Sequence, residues 1–313
     1  MPSTVEVREV APRDGLQVEA PQSVEDRIRL VDALSATGLR RIEAAAFVHP
    51  VAVPAMAGAE AVIAGIARRS GVIYSALVPN LRGAERALGA GVDELEVVVS
   101  ASESHNRANV NMSVVDSIAQ VAEIVKLAHS QSRPVEAVVA TAFGCPYEGD
   151  VPPERVASIA ARLLEVGSDT VGFGDTTGMA TPKRVELVSD ALELGEIDLS
   201  EVLYHFHNTR GTGLANVVYA LGRGVRRFDA SVGGLGGCPF APGASGNICT
   251  EDLVHMLEDM GVGTGVDLEA LIAASLLAQE ILGHELPGQI MKAGPRTRRA
   301  EGRVVLMSRP EGS

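Results

Sequence analysis

Short runs rich in Val, Ile and Leu alternate with amphipathic helical stretches eight times between residues 4 and 260, and this repeat constrains the chain more than any other feature. The strand runs fall at 4–10, 41–45, 72–78, 94–100, 135–140, 170–173, 204–207 after an apolar lead-in, and 227–232. Helical periodicity occupies 24–37, a broken stretch at 53–68, then 81–90, 114–131, 153–166, 182–194, 214–223 and 250–260. Ser23 stands where an N-cap belongs, with Asp26 three residues on, and Gly38 follows the end of that helix. Pro153 and Pro182 open their helices at the first turn, where a missing N–H costs nothing. The stretch 102–113 is polar and long for a connection, which marks it as a candidate functional loop.

Strands alternating with helices in this way build a parallel sheet, closed or open. Eight units over this length match a (β/α)8 TIM barrel. The rival is an open doubly wound sheet, whose phosphate-binding GxGxxG is missing: Gly211-Thr212-Gly213 lacks the third glycine. The expected fold is therefore an α/β, (β/α)8 TIM barrel with an additional C-terminal helical region at 268–282. It is read as one catalytic domain over 1–293, with a charged, Pro/Gly-containing tail over 294–313 expected to be mobile.

Net charge is −13 at pH 7, so no broad basic surface exists for nucleic acid. Three cysteines, Cys145, Cys238 and Cys249, form no CxxC pair and no disulfide framework, which points to a reducing cytoplasm. No secretory signal opens the chain, and no apolar run reaches the roughly 18 residues that a membrane span needs. The expected partners are small molecules, with no nucleic acid and no membrane.

In a barrel, chemistry belongs at the C-terminal ends of the strands. Arg13 and Asp14 end the first strand, Glu43 lies on the second and Asp175 ends the sixth. Within Tyr204-His205-Phe206-His207, strand alternation puts both imidazoles on one face, where they can take adjacent positions on one cation. The same spacing also suits a half-buried strand whose histidines only bond neighbours. Asp14, His205, His207 and Asn247 together supply a mixed oxygen and nitrogen set suited to Mg²⁺ or Mn²⁺, with zinc and Fe²⁺ as alternatives. Arg13 would then offer a fixed cation where an enolate oxygen develops. The loop 233–247 is built largely of glycine and alanine, which permits close backbone approach or a moving lid. Its Cys238 is a candidate acid/base, whereas Cys145 and Cys249 read as packing residues.

At these residues the chain resembles the 3-hydroxy-3-methylglutaryl-CoA lyase family of metal-dependent TIM-barrel lyases. The likeness is carried by Glu9-Val10-Ala11-Pro12-Arg13-Asp14-Gly15-Leu16-Gln17 and by the loop 233–247 with its cysteine and asparagine. Asn80-Leu81-Arg82-Gly83, residues 144–149, Gly174-Asp175-Thr176 and the histidine pair also fit. The resemblance implies that Asp14, His205, His207 and Asn247 hold a divalent metal, Arg13 stabilises an enolate, and Cys238 transfers a proton. It further implies that Glu43, Asp175 and Glu251 support the acid/base network, that the substrate is an acyl-CoA, and that the protein is a homodimer. The implied reaction is a retro-Claisen cleavage to acetyl-CoA and a keto acid. An acetyl-CoA-dependent condensing synthase of the isopropylmalate synthase type is the alternative. Ala45-Ala46 replaces the family's usual hydroxyl pair, and Gly283-His284-Glu285 stands where an Asn and basic residues are expected. Both departures bear on which acyl-CoA is cleaved.

Overall fold

A computed structural model describes residues 2–236 and 246–298. Cys238 and the tail beyond residue 298 lie outside the described residues. Eight parallel strands close into a barrel in sequence order. They are β1 (Glu6–Glu9), β2 (Arg41–Ala46), β3 (Ile73–Leu77), β4 (Glu94–Ser100), β5 (Val135–Ala140), β6 (Thr170–Gly174), β7 (Leu203–His205) and β8 (Arg227–Ala230). Closure is made by β1 against β8, with Glu6 opposite Arg227 and Arg8 opposite Asp229.

The helices are α1 (Val24–Ser35), α2 (Ala59–Gly65), α3 (Leu81–Ala90), α4 (Glu103–Val110), α5 (Val114–Ser130), α6 (Pro153–Glu165), α7 (Pro182–Leu194), α8 (Gly213–Gly222), α9 (Thr250–Asp259), α10 (Leu268–Leu282) and α11 (Ile290–Ala293). Among the described residues none is long and apolar enough to cross a membrane. The cap read from the sequence is in place, with Ser23 Oγ accepting from Asp26 N at 3.0 Å. Helix α3 has a cap as well, Asn80 Oδ1, which accepts from Gly83 N at 2.9 Å.

Four expectations change. The polar stretch 102–113 is mostly the helix α4, started by Ser102 Oγ accepting from His105 N and ended by Asn111 at φ 56°. It lacks an apolar stripe, so periodicity could not reveal it. Arg13 and Asp14, expected at the end of the first strand, lie beyond β1 in a single π-helical turn over 11–15, with the N–H groups of Arg13, Asp14 and Gly15 all directed at Val10 O. Strand β7 stops at His205, and His207 instead forms an isolated antiparallel bridge with Asn247. Finally, β8 ends at Ala230 and turns into a 3-10 segment, Val232–Gly234.

The two faces of the strands differ in chemistry. Outward residues such as Ile42, Tyr74, Leu95, Val97, Phe173, Tyr204 and Phe228 are buried beneath the helices. Two tyrosines satisfy their hydroxyls there: Tyr74 Oη on Ser35 at 3.0 Å and Tyr204 Oη on Ser189 at 2.9 Å. Inward residues include many charges. Arg8 reaches across the barrel to Glu136 on β5, and Arg41 and Arg227 turn inward to Glu94 and Glu136.

The C-terminal region braces the barrel. Asp267 N donates to Thr37 O at 2.7 Å, and a Cβ placed on Gly38 would lie 2.5 Å from Gly265 O. Gly38 also holds φ at +91°, a backbone conformation open to glycine. Gly38→Ala is therefore expected to destabilise the protein by about 1–3 kcal/mol or more, from strain and backbone collision together. Urea unfolding at neutral pH measures it, and a variant as stable as wild type would contradict this account of the brace.

Candidate active site

The site gathers at the C-terminal mouth of the barrel. The turn after β1 presents Arg13 and Asp14, and β7 with its continuation presents His205 and His207. One ligand atom from each of Asp14, His205 and His207 lies within 4.8 Å of the others. The two imidazole centroids are 5.0 Å apart, and His207 Nε2 stands 4.0 Å from Asp14 Oδ2. Asn247 joins them: its Nδ2 donates to Asp14 Oδ2 at 2.8 Å and to Leu235 O at 2.9 Å. That leaves Asn247 Oδ1 buried with no partner, and His207 Nδ1 is orphaned in the same way. Buried orphans of this kind need an occupant. The donor set is one carboxylate, two imidazoles and one amide oxygen, with no thiolate, which fits a hard or borderline divalent cation.

Protonation favours the same reading. Burial pushes Asp14 up, but Arg13, both imidazoles and the Asn247 hydrogen bond outweigh it and leave the carboxyl at about 2. Burial and the neighbouring His205 lower His207 to about 3. Both groups therefore stand in their ligand forms at neutral pH, with no proton to displace. His205 moves upward, because its bond to Asp229 and the charges of Asp229 and Asp14 overcome burial. Its Nδ1 is engaged by Asp229 Oδ2 at 3.1 Å, leaving Nε2 for a cation.

Arg13 lies among carboxylates: Glu43 Oε1 at 2.6 Å from Nε, Asp14 Oδ1 at 2.6 Å from Nη1, and Glu96 Oε1 at 3.1 Å from Nη2. Its orientation is set on all sides of the guanidinium. Asp175 adjoins both histidines, and its Oδ1 accepts from Met179 N and Ala180 N at 2.7 and 2.9 Å. Burial raises Asp175 to about 7 against those donors and the nearby histidines.

Glu251 stands elsewhere. Its carboxylate accepts from Gly233 N at 3.1 and 3.2 Å, at the base of the glycine loop. The connection between α10 and α11 presses on the same base: a Cβ on Gly233 would come 2.4 Å from Leu286 Cδ1, and Gly288 N donates to Gly233 O. Gly236, at φ +98°, lets Asn247 in; a Cβ there would sit 2.6 Å from Asn247 Nδ2. Ala45 and Ala46 are buried, and His284 Nε2 pairs with Glu19 Oε2 at 3.1 Å.

Strand reading by periodicity left out Arg8, Glu9, Glu96 and Asp229. A signal existed, since charges recur at every second position of strands that a barrel buries on both faces: Glu6 and Arg8, Arg41 and Glu43, Glu94 and Glu96, Arg227 and Asp229. Glu9 ties the site together from outside the barrel. Its Oε1 accepts from Ala11 N at 2.8 Å and Val232 N at 3.0 Å, and its Oε2 from Thr250 Oγ1 at 2.7 Å.

The geometry has close counterparts. A family profile described as HMGL-like matches residues 4–277. The chain is 47% identical over 289 residues to the hydroxymethylglutaryl-CoA lyase of Bacillus subtilis (strain 168), covering 92% of this chain and 96% of that one. It is 42% identical over 294 residues to a 3-hydroxy-3-isohexenylglutaryl-CoA/hydroxymethylglutaryl-CoA lyase of Pseudomonas aeruginosa, covering 94% and 98%. The solved structure of an HMG-CoA lyase from Acinetobacter baumannii with coenzyme A and 3-methylmalate superposes with a TM-score of 0.91 at 46% identity, over 96% and 98% of the two chains.

Burial raises Glu9 to about 8 against the N–H groups of Ala11 and Val232 and the Thr250 hydroxyl. The folded state keeps a proton that the unfolded chain loses above its ordinary value of 4.5, so stability contributed by Glu9 falls as pH rises between about 4.5 and 8. Glu9→Gln removes this titration. Relative to that variant, wild type is expected to lose up to about 1.4 kcal/mol per pH unit across the window, read by denaturant unfolding from pH 5 to 8.5. Parallel pH profiles for the two proteins would contradict the assignment.

Proposed function

The chain belongs to the HMGL-like family, and from that membership and the site geometry we propose that it is a divalent-metal-dependent carbon–carbon lyase acting on 3-hydroxy-3-methylglutaryl-CoA, with acetyl-CoA and acetoacetate as products. The single observation that carries the reading is the convergence of Asp14, His205 and His207 on one point beside Arg13, with the Asn247 amide bonded to the same carboxylate.

Those four residues would hold the cation, with Mg²⁺ or Mn²⁺ the ions that suit the donor set. When bound, a divalent ion supplies charge stabilisation to the substrate's hydroxyl and carboxylate oxygens. In the reaction the tertiary hydroxyl gives up its proton, the C2–C3 bond breaks, and its electron pair passes to the thioester enolate while C3 becomes the ketone. Asp175 is assigned the hydroxyl proton, since it adjoins both histidines and titrates near neutrality. Arg13, held by Glu43, Asp14 and Glu96, places its guanidinium where the enolate oxygen carries charge. Cys238 returns a proton to the enolate carbon, completing acetyl-CoA. Glu251 acts at a distance, holding the base of the loop that carries Cys238. As the family resemblance implies, the protein works as a homodimer.

A second reading keeps the same centre and enlarges the C3 substituent. Ala45 and Ala46 are small where a hydroxyl pair is usual in the family, and the Pseudomonas aeruginosa relative is named for an isohexenyl substrate as well. The test is a panel of 3-hydroxyacyl-CoA thioesters with Mg²⁺ or Mn²⁺, scored for acetyl-CoA release. Metal-dependent release from 3-hydroxy-3-methylglutaryl-CoA is expected. His207→Ala should lower it by more than about 100-fold together with Mn²⁺ affinity, since a direct ligand should cost at least what its supporting residues do. Arg13→Lys should lower kcat by about 100-fold or more with Mn²⁺ affinity retained. Thiol release from acetyl-CoA plus a 2-keto acid, without cleavage of any panel member, would instead indicate a condensing synthase.

A further inference from the structure

Arg8 lies below the site on β1, and its side chain is 1% exposed, out of reach of any substrate. All three of its guanidinium nitrogens are nonetheless engaged, on three other strands. Nε and Nη2 grip the two oxygens of Asp229 on β8, at 2.8 and 2.9 Å. Nη1 sits 2.6 Å from Glu136 Oε1 on β5 and 2.8 Å from Glu96 Oε2 on β4. Two of these carboxylates continue upward into the site. Asp229 Oδ2 takes His205 Nδ1 at 3.1 Å, and Glu96 Oε1 takes Arg13 Nη2 at 3.1 Å. A continuous run of charged contacts therefore joins Arg13 to His205, and Arg8 is its midpoint.

We infer that Arg8 is a positioning residue for the lyase reaction, setting the enolate-facing guanidinium of Arg13 against the imidazole of His205 from inside the barrel. The inference rests on reading the mouth of the barrel as a lyase centre. A bidentate fork fixes both the place and the rotation of Asp229, and Asp229 in turn holds His205 with Nδ1 as the donor and Nε2 facing outward. On the other arm, Glu96 gives one oxygen to each arginine, so it cannot shift toward one without leaving the other. The bland account of Arg8 is that it only neutralises three buried carboxylates. The two accounts part at lysine, which preserves the charge but not the planar fork.

The test is Arg8→Lys in the full-length protein, read by Mn²⁺ affinity from calorimetry and by kcat with 3-hydroxy-3-methylglutaryl-CoA. Positioning predicts Mn²⁺ affinity weaker by about 10–100-fold and a fall in kcat, because both arms loosen. Glu96→Gln should lower kcat while leaving Mn²⁺ affinity within about threefold, and Asp229→Asn should weaken Mn²⁺ affinity. Adding Arg8→Lys to Asp229→Asn should cost little further affinity, since the two act on one chain of contacts. Wild-type affinity and kcat in Arg8→Lys, with only a lower Tm, would overturn the inference. If Arg8→Lys does not fold, unchanged kcat in Glu96→Gln together with unchanged affinity in Asp229→Asn would overturn it equally. Should wild type bind Mn²⁺ but cleave no thioester, the lyase reading fails by itself, and the affinity measurements still decide whether Arg8 positions His205.

Discussion

The structure depends on a lattice of buried ion pairs that runs through the barrel interior, alongside branched aliphatic side chains such as Val138 and Leu203. Arg8, Arg13, Arg41 and Arg227 interleave with Glu43, Glu94, Glu96, Glu136 and Asp229 from one end of the interior to the other. Such pairs add little net stability, because the Coulomb gain is set against two desolvation costs. Breaking one of them is another matter, at about 3–5 kcal/mol for a buried charge left without its partner. The lattice is thus stiff: no member can move without stranding a neighbour. A site whose chemistry needs fixed distances between a cation, a ligand set and a guanidinium gains from standing on it.

The mouth of the barrel continues the lattice with one change in balance. Arg13 faces three carboxylates, one of them shared with Arg8, and Asp14 also faces two imidazoles. Asp14 is ionised and His207 neutral in this setting, so the ligand atoms wait in the forms that a metal takes. The orphaned Asn247 Oδ1 is the structural trace of the same demand. Around this rigid centre the glycine loop is attached differently, by backbone N–H groups held at its base by Glu9 and Glu251 and by packing of Leu286.

Much of the site was legible in the chain. Arg13 and Asp14 are legible because they follow the first strand run, although they lie in the turn beyond β1, and His205 and His207 because of their spacing. The histidines do meet, though not for the reason strand alternation offers, since His207 lies past the end of β7 and is held by its bridge to Asn247. The helix α4 is not legible in the sequence because polar residues with no apolar stripe leave no periodic mark, and only its two caps announce it. Glu251 is implied only by the resemblance, as part of the acid/base network, and its hold on the base of the glycine loop is not legible because its partner there is a backbone N–H with no sequence signature.

What the sequence by itself determined is local: eight strand–helix units, their order, the capping residues, and the chemical types gathered at the strand ends. Propensity, periodicity and turn chemistry act over a few residues, so they can be read in one dimension. The tertiary structure alone decided which charges meet. Arg8 and Asp229 are separated by 221 residues and Arg8 and Glu136 by 128, and they touch only because β1 pairs with β8 and the closed ring is narrow enough for a side chain to span. A charge in a strand carries no record of its partner, since electrostatic pairing depends on distance through space, and that distance exists only once the barrel has closed.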